Sequence, residues 1–314
     1  MGILVARTRH ELKTKIAALR STLEEAGVRA TVGFVPTMGA LHEGHAALVR
    51  KASKENSITV VSIFVNPKQF GPQEDFAKYP RTFEADCTLC EKAGAQIVFA
   101  PNADELYPAD FKTQVNVSEM SDVLCGAYRP NHFAGVCTVV LLLLNCVSAD
   151  RAYFGLKDFQ QFTIIARMAA DLDHPTRIMG VPTVRDADGF ALSSRNRYLD
   201  EGARKIALCI PRALRAAGHC FLAGTADSSE VLAAALEVLN SEVGFEQQYC
   251  EIRNAKNLAL CSDKITQDSV LAIAGYVQGA DGVKTRLIDN IVLTHEPDRL
   301  ETLLDFVRQG ANQQ

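Results

Sequence analysis

The sequence predicts an α/β protein, with a parallel β-sheet covered by helices on both faces and a smaller C-terminal α+β domain. Through the first 181 residues, short segments rich in β-branched residues alternate with helix-like segments, an order typical of parallel sheets. From residue 182 onwards, two amphipathic helices precede three strand-like segments, which favours an α+β arrangement. The length of 314 residues, 47% of them hydrophobic, is ample for both cores. We therefore predict domains at 1–181 and 182–314.

The individual elements follow from residue types and turn signals. In the first domain the predicted strands are Thr31–Val35, Ile58–Val65, Ala95–Ala100, Arg151–Phe154 and Thr176–Met179. The predicted helices are Ala46–Ser53, Thr82–Ala93, Val136–Val147 and Gln160–Leu172. In the second domain we predict helices Glu201–Ala223 and Ser228–Val243, and strands Gln247–Arg253, Val270–Val277 and Thr285–Leu293. The last residues, Gln309–Gln314, are expected to be frayed.

Charge and hydropathy argue against two broad classes of protein. Lys and Arg total 33 against 37 acidic residues, so the formal net charge is −4, and nothing indicates a basic face for nucleic acid. The N-terminus lacks the continuous apolar stretch of a secretory signal. The longest apolar run, Val136–Val147, is shorter than the roughly 20 residues of a membrane-spanning helix. We expect a soluble, cytoplasmic protein that binds neither nucleic acid nor membranes.

Nine cysteines are scattered along the chain without the spacing of a disulfide framework. Cys87 and Cys90 form a CxxC pair, but no second CxxC or paired-histidine motif accompanies it to complete a zinc site. In an intracellular chain, such cysteines are expected to be small buried apolar residues with no catalytic role.

The first candidate site, Pro36–His45, follows the first predicted strand and has the sequence PTMGALHEGH. Ligands of open α/β sheets bind beyond the carboxyl ends of the strands, where a helix N-terminus offers unpaired N–H groups to phosphate. Gly39 and Gly44 allow a close approach of the backbone. His42 and His45, as imidazolium donors, can stabilise charge on one phosphate chain. The alternative is a helix start whose histidines cap the helix or fill space, but the HxGH pattern favours nucleotide chemistry.

The second candidate site, Phe154–Gln161, again lies where a strand opens onto a helix. Gly155 leaves room for a ligand, and Lys157 is a mobile positive charge suited to a polyphosphate. Asp158 could hold a ribose hydroxyl or a magnesium-bound water. Taken by itself, the segment is equally consistent with an ordinary helix N-terminus, in which Asp158 caps the helix and the Gln160 and Gln161 amides are solvated.

The third candidate site, Leu192–Tyr198, has the sequence LSSRNRY and follows a turn at Asp186–Gly189. Two hydroxyls and two guanidiniums within five residues suit a flexible phosphate clamp, although a polar surface loop would have the same composition. Gln69, which follows the second predicted strand, is expected at the same edge of the sheet.

Seven blocks of this sequence together resemble the pantoate–β-alanine ligase family over nearly the whole chain. HxGH alone marks only the wider nucleotidyltransferase superfamily, whereas all the blocks in this order are highly specific. The blocks are PTMGALHEGH (36–45), FVNPKQF (64–70), DFAKYPRT (75–82), YRPNHFAGV (128–136), FGLKDFQQ (154–161), LSSRNRYL (192–199) and TRLIDN (285–290).

The resemblance implies a Rossmann-like N-terminal domain with a smaller C-terminal lid, in a homodimer. His45 matches the histidine credited with catalysis in the family, and Gln69 and Gln161 match the two glutamines that hold pantoate. The implied ATP-binding residues are Met38, Gly39, Ala40, Leu41, His42, Glu43, Gly44, His45, Gly155, Leu156, Lys157, Asp158, Val184, Leu192, Ser193, Ser194 and Arg195.

The implied reaction condenses pantoate with β-alanine at the expense of ATP, giving pantothenate, AMP and pyrophosphate through pantoyl adenylate. The expected catalytic groups are positive donors around the phosphates of ATP, which also binds Mg²⁺. These donors are His42, His45, Lys157 and Arg195. The amine of β-alanine then attacks the activated carbonyl, so no covalent nucleophile is needed. Asp86 and Asp158 are both candidates for contact with the metal, and no metal ligand is assigned.

The sequence departs from the family pattern at Leu142, Ala149, Leu156 and Leu192, where the family often has a cationic residue, Pro, Glu and Met. None of these changes removes a group that contacts phosphate in the expected chemistry. Two alternatives remain at this point. A related nucleotidyltransferase would need an RNA-binding domain with basic surface, and a non-catalytic nucleotide-binding protein should have lost His45, Lys157 or Arg195.

Overall fold

The computed structural model describes residues 2–71, 76, 79–296 and 302–307, and these form two compact units. The first unit comprises Met1–Asp122, Gly126–Leu156 and Ile164–Val181, and the second comprises Val123–Cys125, Lys157–Thr163 and Pro182–Gln314. The predicted domains differ from these units at residues 123–125 and 157–163, which group with the C-terminal part. The expected frayed segment, Gln309–Gln314, lies outside the described residues.

The first unit contains a six-stranded parallel sheet with the order β1-β4-β3-β2-β5-β6. Its strands are β1 (Leu4–Ala6), β2 (Val32–Thr37), β3 (Ile58–Ile63), β4 (Ile97–Phe99), β5 (Arg151–Gly155) and β6 (Arg177–Val181). The helices along this part of the chain are α1 (Arg9–Glu25), α2 (Glu43–Glu55), α3 (Phe83–Lys92), α4 (Ala103–Leu106), α5 (Cys125–Tyr128), α6 (His132–Val147) and α7 (Phe159–Asp171).

Helices cover both faces of this sheet, as the sequence predicted. On one face, α2 and α3 pack with Val35, Val61 and Val98 in a single core cluster. On the other face, α1 and α6 contact each other and lie against β2, β3 and β4. The alternation of side chains along each strand explains why successive buried residues such as Phe34 and Val35 serve opposite cores.

The edge strand β1 and the helix α1 were not predicted from the sequence. β1 has only three residues, too few to show a period, and it pairs with β4 rather than with its neighbour in the chain. In α1, only Leu12 and Ile16 are buried, so the apolar stripe is narrow and the pattern is weak. Tertiary packing therefore determines this part of the fold.

The order of the strands places a topological switch point between β2 and β5. From β2 the chain moves outwards through β3 and β4, and it later moves in the opposite direction from β5 to β6. The loops that follow β2 and β5 consequently diverge, and the crevice beyond the carboxyl ends of these strands is where open α/β sheets bind ligands. Two of the predicted motifs begin at these strand ends.

The second unit combines helices with a three-stranded antiparallel sheet, as predicted. The strands, in the order β7-β8-β9, are β7 (Phe245–Asn254), β8 (Ser269–Gln278) and β9 (Lys284–Leu293). The helices are α8 (Glu201–Ala207), α9 (Cys209–Leu222) and α10 (Ser228–Ser241). The core joins the apolar faces of α9 and α10 to the almost fully buried central strand β8.

The single helix predicted at Glu201–Ala223 is wrong, because the chain forms two helices that meet at Leu208. Pro211 lies in the first turn of α9. A proline has no N–H to donate to the carbonyl four residues earlier and its ring crowds that carbonyl, so a continuous helix is disfavoured there. In the first turn of a new helix that N–H is not required.

The nine cysteines are free thiols, and six of them are buried. Within the described ranges, no group of three or more His, Cys, Asp or Glu side chains is placed to hold a metal ion. Burial raises the pKa of the Cys90 thiol to about 12, which keeps it protonated. Across the same residues, no helix is both long and apolar enough to span a bilayer.

Candidate active site

The loop between β2 and α2 is held by hydrogen bonds from its N–H groups to the side chains of Thr37 and Asp86. The Thr37 hydroxyl donates to the carbonyl of Ser62 (2.6 Å) and accepts the N–H of Gly39 (3.2 Å). Gly39 and Ala40 both have positive φ, at 81° and 51°. The N–H groups of Ala40 and Leu41 donate to the carboxylate of Asp86 (3.0 and 2.8 Å), so they are not directed at a ligand.

His42 and His45 cap the start of α2 through one ring nitrogen each. His42 Nδ1 accepts the N–H of Gly44 (3.1 Å), and His45 Nδ1 accepts the N–H of His42 (3.3 Å). The two ring centroids are 4.1 Å apart. Because a backbone N–H can only donate, both Nδ1 atoms must be unprotonated, and the ring proton is assigned to Nε2.

This geometry changes the expected role of the HxGH segment in two respects. We expected unpaired N–H groups here, and the structure contradicts this. The N–H groups of four residues already have partners within the protein: Ala40, Leu41, His42 and Gly44. In this geometry Nδ1 of each ring serves as an acceptor, so the ring N–H that can donate is the one on Nε2. The capping bonds therefore use the Nδ1 atom of each ring and do not involve Nε2.

Gln69 is buried, and the polarity of its amide is fixed by backbone groups. Asn66 Oδ1 accepts the N–H of Lys68 (3.2 Å), which identifies the other amide atom of Asn66 as nitrogen. That nitrogen donates to the carbonyl of Gly135 and to Gln69 Oε1 (3.1 Å each). Gln69 Nε2 consequently points to Met38 Sδ (3.0 Å), a weak acceptor, and remains a donor suited to a stronger acceptor.

Two further residues orient this amide pair and were not identified as site residues from the sequence. Asn66 is only 1% exposed, and its oxygen also accepts a hydrogen bond from the Tyr107 hydroxyl (2.9 Å). Burial raises the pKa of Tyr107, so the hydroxyl stays a donor. In the sequence, Asn66-Pro67 signals only the end of a strand, and Tyr107 lies in no recognisable motif.

The segment after β5 is divided between the two units. Gly155 and Leu156 belong to the first unit, and Lys157, Asp158 and Gln161 belong to the second. The Lys157 carbonyl accepts a hydrogen bond from Asn290 Nδ2 on β9 (2.8 Å). Among the described residues, no carboxylate pairs with the Lys157 ammonium group, which leaves this charge available to an anionic ligand.

The two neighbouring glutamines of this segment have different environments. The Gln160 amide accepts the N–H of Cys125 (3.0 Å) and donates to the Val123 carbonyl (2.7 Å), which fixes residues 123–125 to α7. Gln161 is half-buried and makes no hydrogen bond to any other described residue. Gln160 is thus structural, while the Gln161 amide is available to a substrate.

The third candidate segment extends from a short hairpin in the second unit. Leu192 and Val184 are joined by a backbone hydrogen bond (3.0 Å), and Arg185 makes a two-pronged ion pair with Asp289 of β9 (2.6 and 2.9 Å). Ser193 caps the 3-10 turn Ser194–Tyr198 by accepting the N–H of Arg195. The half-buried Arg195 guanidinium pairs with no carboxylate among the described residues.

The predicted site residues therefore form two groups. In the first unit, the structure brings Met38 of the HxGH loop into contact with Gln69. In the second unit, the neighbouring residues Asp289 and Asn290 of β9 hold the Val184–Leu192 hairpin and Lys157. Gly155 and Leu156 lie at the end of β5, beside β2.

Comparison with known proteins gives a consistent family assignment. The family model described as "Pantoate-beta-alanine ligase" matches residues 5–292 of the chain. Pantothenate synthetase 1 of Bradyrhizobium diazoefficiens is 48% identical over 285 residues, which cover 90% of this chain and 98% of that protein. Pantothenate synthetase of Moorella thermoacetica is 47% identical over 284 residues, with the same coverage of both chains.

Solved structures agree with this assignment. The crystal structure of pantothenate synthetase from Thermus thermophilus matches with a TM-score of 0.81 and 42% identity, covering 92% of this chain and 99% of that one. The pantoate-beta-alanine ligase from Francisella tularensis, complexed with beta-gamma ATP and beta-alanine, matches with a TM-score of 0.70 and 29% identity. It covers 94% of this chain and 100% of that one.

Proposed function

This chain belongs to the pantoate–β-alanine ligase family and joins pantoate to β-alanine at the expense of ATP, and we propose that it does so through a pantoyl adenylate. In the first step, a pantoate carboxylate oxygen attacks the α-phosphorus, a P–O bond forms and pyrophosphate leaves. In the second, the neutral amine of β-alanine attacks the acyl carbonyl, AMP leaves and the amine loses a proton. The products are pantothenate, AMP and pyrophosphate.

The observation that carries the mechanism is the arrangement of the two histidine rings at the start of α2. Each ring is held by a backbone N–H on Nδ1, so its Nε2–H has a fixed direction before any ligand arrives. Preorganised donors of this kind stabilise charge that develops in a transition state without further reorganisation. We assign this role to His42 and His45, with Lys157 and Arg195 as the cationic donors to phosphate.

The other residues of the three motifs are proposed to bind ATP through backbone and side-chain contacts. Positions 38–45 and 155–156 lie at the carboxyl ends of β2 and β5, where such sheets bind ligands. This supports the assignment of Met38, Gly39, Ala40, Leu41, Glu43, Gly44, Gly155 and Leu156. Asp158, Val184, Leu192, Ser193 and Ser194 are assigned by their match to the family motifs.

Pantoate is proposed to bind at Gln69 and Gln161. The fixed polarity of the Gln69 amide supports this, because among the described residues its Nε2–H faces a thioether alone, and it suits a carboxylate or hydroxyl oxygen. Gln161, without a hydrogen bond to the other described residues, can complete the recognition of a polar substrate.

The residues present fit a magnesium ion that is bound mainly by ATP. Both oxygens of Asp86 already accept protein N–H bonds, whereas the exposed carboxylate of Asp158 is available to a metal-bound water. Mg²⁺ typically keeps several waters and uses one or two carboxylates together with substrate phosphates. When bound, the ion neutralises phosphate charge; the protein side chains orient the reactants.

Isotope exchange tests the two-step reaction. Labelled pyrophosphate should exchange into ATP with pantoate alone, because the adenylate forms before the amine is needed. β-Alanine alone should support no exchange. Exchange that strictly requires β-alanine would mean a concerted reaction, and the proposed intermediate would be wrong.

We further propose that the protein acts as a homodimer in the cytoplasm, as the family resemblance implies. Light scattering on the purified protein should give a mass of about twice the 34.2 kDa of one chain. A single-chain mass at micromolar concentration would contradict the dimer.

A further inference from the structure

We propose that Asp86 is a positioning residue for adenylate formation, which holds the HxGH loop in its working conformation and does not bind the metal. The inference rests on the proposed function, because it concerns the loop that carries His42 and His45. Asp86 lies in the first turn of α3, far from the loop in sequence, and it is 2% exposed.

Both oxygens of the Asp86 carboxylate accept hydrogen bonds from donors of the protein. Oδ2 accepts the Ala40 N–H (3.0 Å), and Oδ1 accepts the Leu41 N–H (2.8 Å) and the Thr82 hydroxyl (3.1 Å). Hydrogen bonds to an ionised acceptor are among the stronger ones in proteins, and here two of them hold successive peptide groups. The chain at residues 40–41 is therefore fixed relative to α3.

The segment held by Asp86 has a conformation that it would not keep by local preference alone. Ala40 has a φ of 51°, a left-handed value that alanine rarely adopts. A Cβ at Gly39 would lie 3.1 Å from Asp86 Oδ2, a close contact that favours glycine beside the carboxylate. Strained backbone of this kind persists only where surrounding contacts hold it, and the two N–H bonds to Asp86 are such contacts.

The position of the catalytic rings depends on this segment. Leu41 directly precedes His42, whose N–H fixes the ring of His45 and whose own ring caps α2. Helix α3 is itself held in place by packing. Cys90, one turn beyond Asp86, and Ala93, at the end of the helix, belong to the core cluster that includes residues of α2. A shift of Ala40 and Leu41 would thus move both Nε2–H donors.

The isosteric substitution Asp86→Asn tests the proposal. It replaces one acceptor by an NH₂ group that opposes a backbone N–H, while the volume stays the same. We expect kcat for pantoate-dependent pyrophosphate exchange to fall about 10²-fold, the scale typical of small misplacements of catalytic groups. The KM for ATP should change much less, and the reaction of prepared pantoyl adenylate with β-alanine should be far less affected.

Two further variants separate positioning from general stability. Asp150→Asn neutralises a comparable carboxylate at the opposite end of β2, where Asp150 Oδ2 accepts the Val32 N–H (2.7 Å), and should leave exchange nearly unchanged. Thr82→Ala removes only one donor to Asp86 and should lower kcat in the same direction by a smaller factor. If Asp86→Asn does not fold, the kcat of Thr82→Ala still tests whether the contacts of Asp86 position the loop.

A magnesium titration distinguishes the positioning role from a metal site. A positioning residue predicts the same Mg²⁺ dependence in Asp86→Asn as in the unsubstituted protein. Recovery of kcat at high Mg²⁺, or an unchanged kcat in both Asp86→Asn and Thr82→Ala, would overturn the proposal. Absence of pantoate-dependent exchange in the unsubstituted protein would instead refute the proposed function.

Discussion

At the scale of single residues, each histidine of the loop after β2 has separate roles for its two ring nitrogens. Nδ1 accepts a backbone N–H and completes the helix cap, and Nε2–H is the donor proposed for phosphate. Gln69 divides its roles in the same way, because one amide atom is held by Asn66 and the other is proposed to contact the substrate. The two roles of such a side chain can be separated by substitutions that keep one role and remove the other.

For His45, Asn and Gln are the informative replacements. An Asn carbonyl can occupy the place of Nδ1 and keep the cap, but it offers nothing at Nε2, so His45→Asn should lower kcat by about 10²–10³. His45→Gln reaches the Nε2 position with an amide N–H and should recover part of that loss. Steady-state exchange kinetics measure both. A near-normal kcat for His45→Asn would assign His45 to capping alone.

For the proposed pantoate site, Tyr107→Phe removes only the hydroxyl that donates to Asn66. Without it the Asn66–Gln69 amide pair is less firmly oriented, and the KM for pantoate should rise about fivefold, the equivalent of about 1 kcal/mol for one hydrogen bond. The KM for ATP should stay unchanged. Tyr153→Phe, which removes a hydroxyl bonded to Glu55 and Asn56, is the matched control. Equal effects on both substrates would contradict a specific role for Tyr107.

At the scale of elements, strand β9 links two segments of the second unit that the sequence separates widely. Asp289 pairs with Arg185 of the hairpin that leads to the Ser193–Arg195 turn, and Asn290 holds the carbonyl of Lys157. The TRLIDN block therefore has a structural explanation, since its last two residues fix both segments to one strand. The positions of these two segments therefore depend on the register of β9.

We expect Asn290→Ala to raise the Kd for ATP about fivefold, because losing the hydrogen bond to the Lys157 carbonyl, worth about 1 kcal/mol, loosens the segment that carries Lys157. Gln278→Ala removes a similar amide-to-carbonyl bond, to Gly282 in the turn between β8 and β9, and serves as the control. ATP titration by calorimetry compares the two. Unchanged ATP affinity in Asn290→Ala would show that β9 does not support the ATP site in this way.

At the scale of the whole molecule, both units bury neutral thiols in their cores. Burial raises the pKa of Cys90 and Cys137 in the first unit, and of Cys209 and Cys250 in the second, from 9.0 to about 12. These thiols are protonated in the folded state over a range of pH in which the unfolded chain releases their protons. Alkaline pH should therefore destabilise both units together.

The raised pKa values determine the direction in which stability changes with pH. The contribution of each thiol to stability is complete below about pH 9 and is lost as the pH rises towards 12. Guanidinium unfolding midpoints should consequently fall between pH 8.5 and about pH 10.5, and Cys90→Ala should flatten this dependence. The Cys261→Ser variant, at a half-buried position, is the control for the loss of a thiol. A midpoint that is independent of pH in this range would contradict neutral burial.

The cysteine pair itself is expected to have no catalytic or metal-binding role. Cys87→Ser combined with Cys90→Ser should leave the activity of the folded protein within a few fold, because the proposed chemistry uses neither thiol. Metal analysis of the purified protein is the measurement. Stoichiometric zinc that disappears in the double variant would show that the pair binds metal after all.

The sequence by itself determined the positions of the predicted strands, the placing of HxGH directly after β2 and the family, because periodicity, turn residues and motif order are local properties. Only the tertiary structure decided which N–H groups are already bonded, which ring nitrogen of His42 and His45 carries the proton, and which way the Gln69 amide points. The first answer comes from Asp86, 46 residues from Ala40, and the last is reinforced by Tyr107, 41 residues from Asn66. Contacts at such separations depend on strand order and helix packing, which local sequence patterns do not encode.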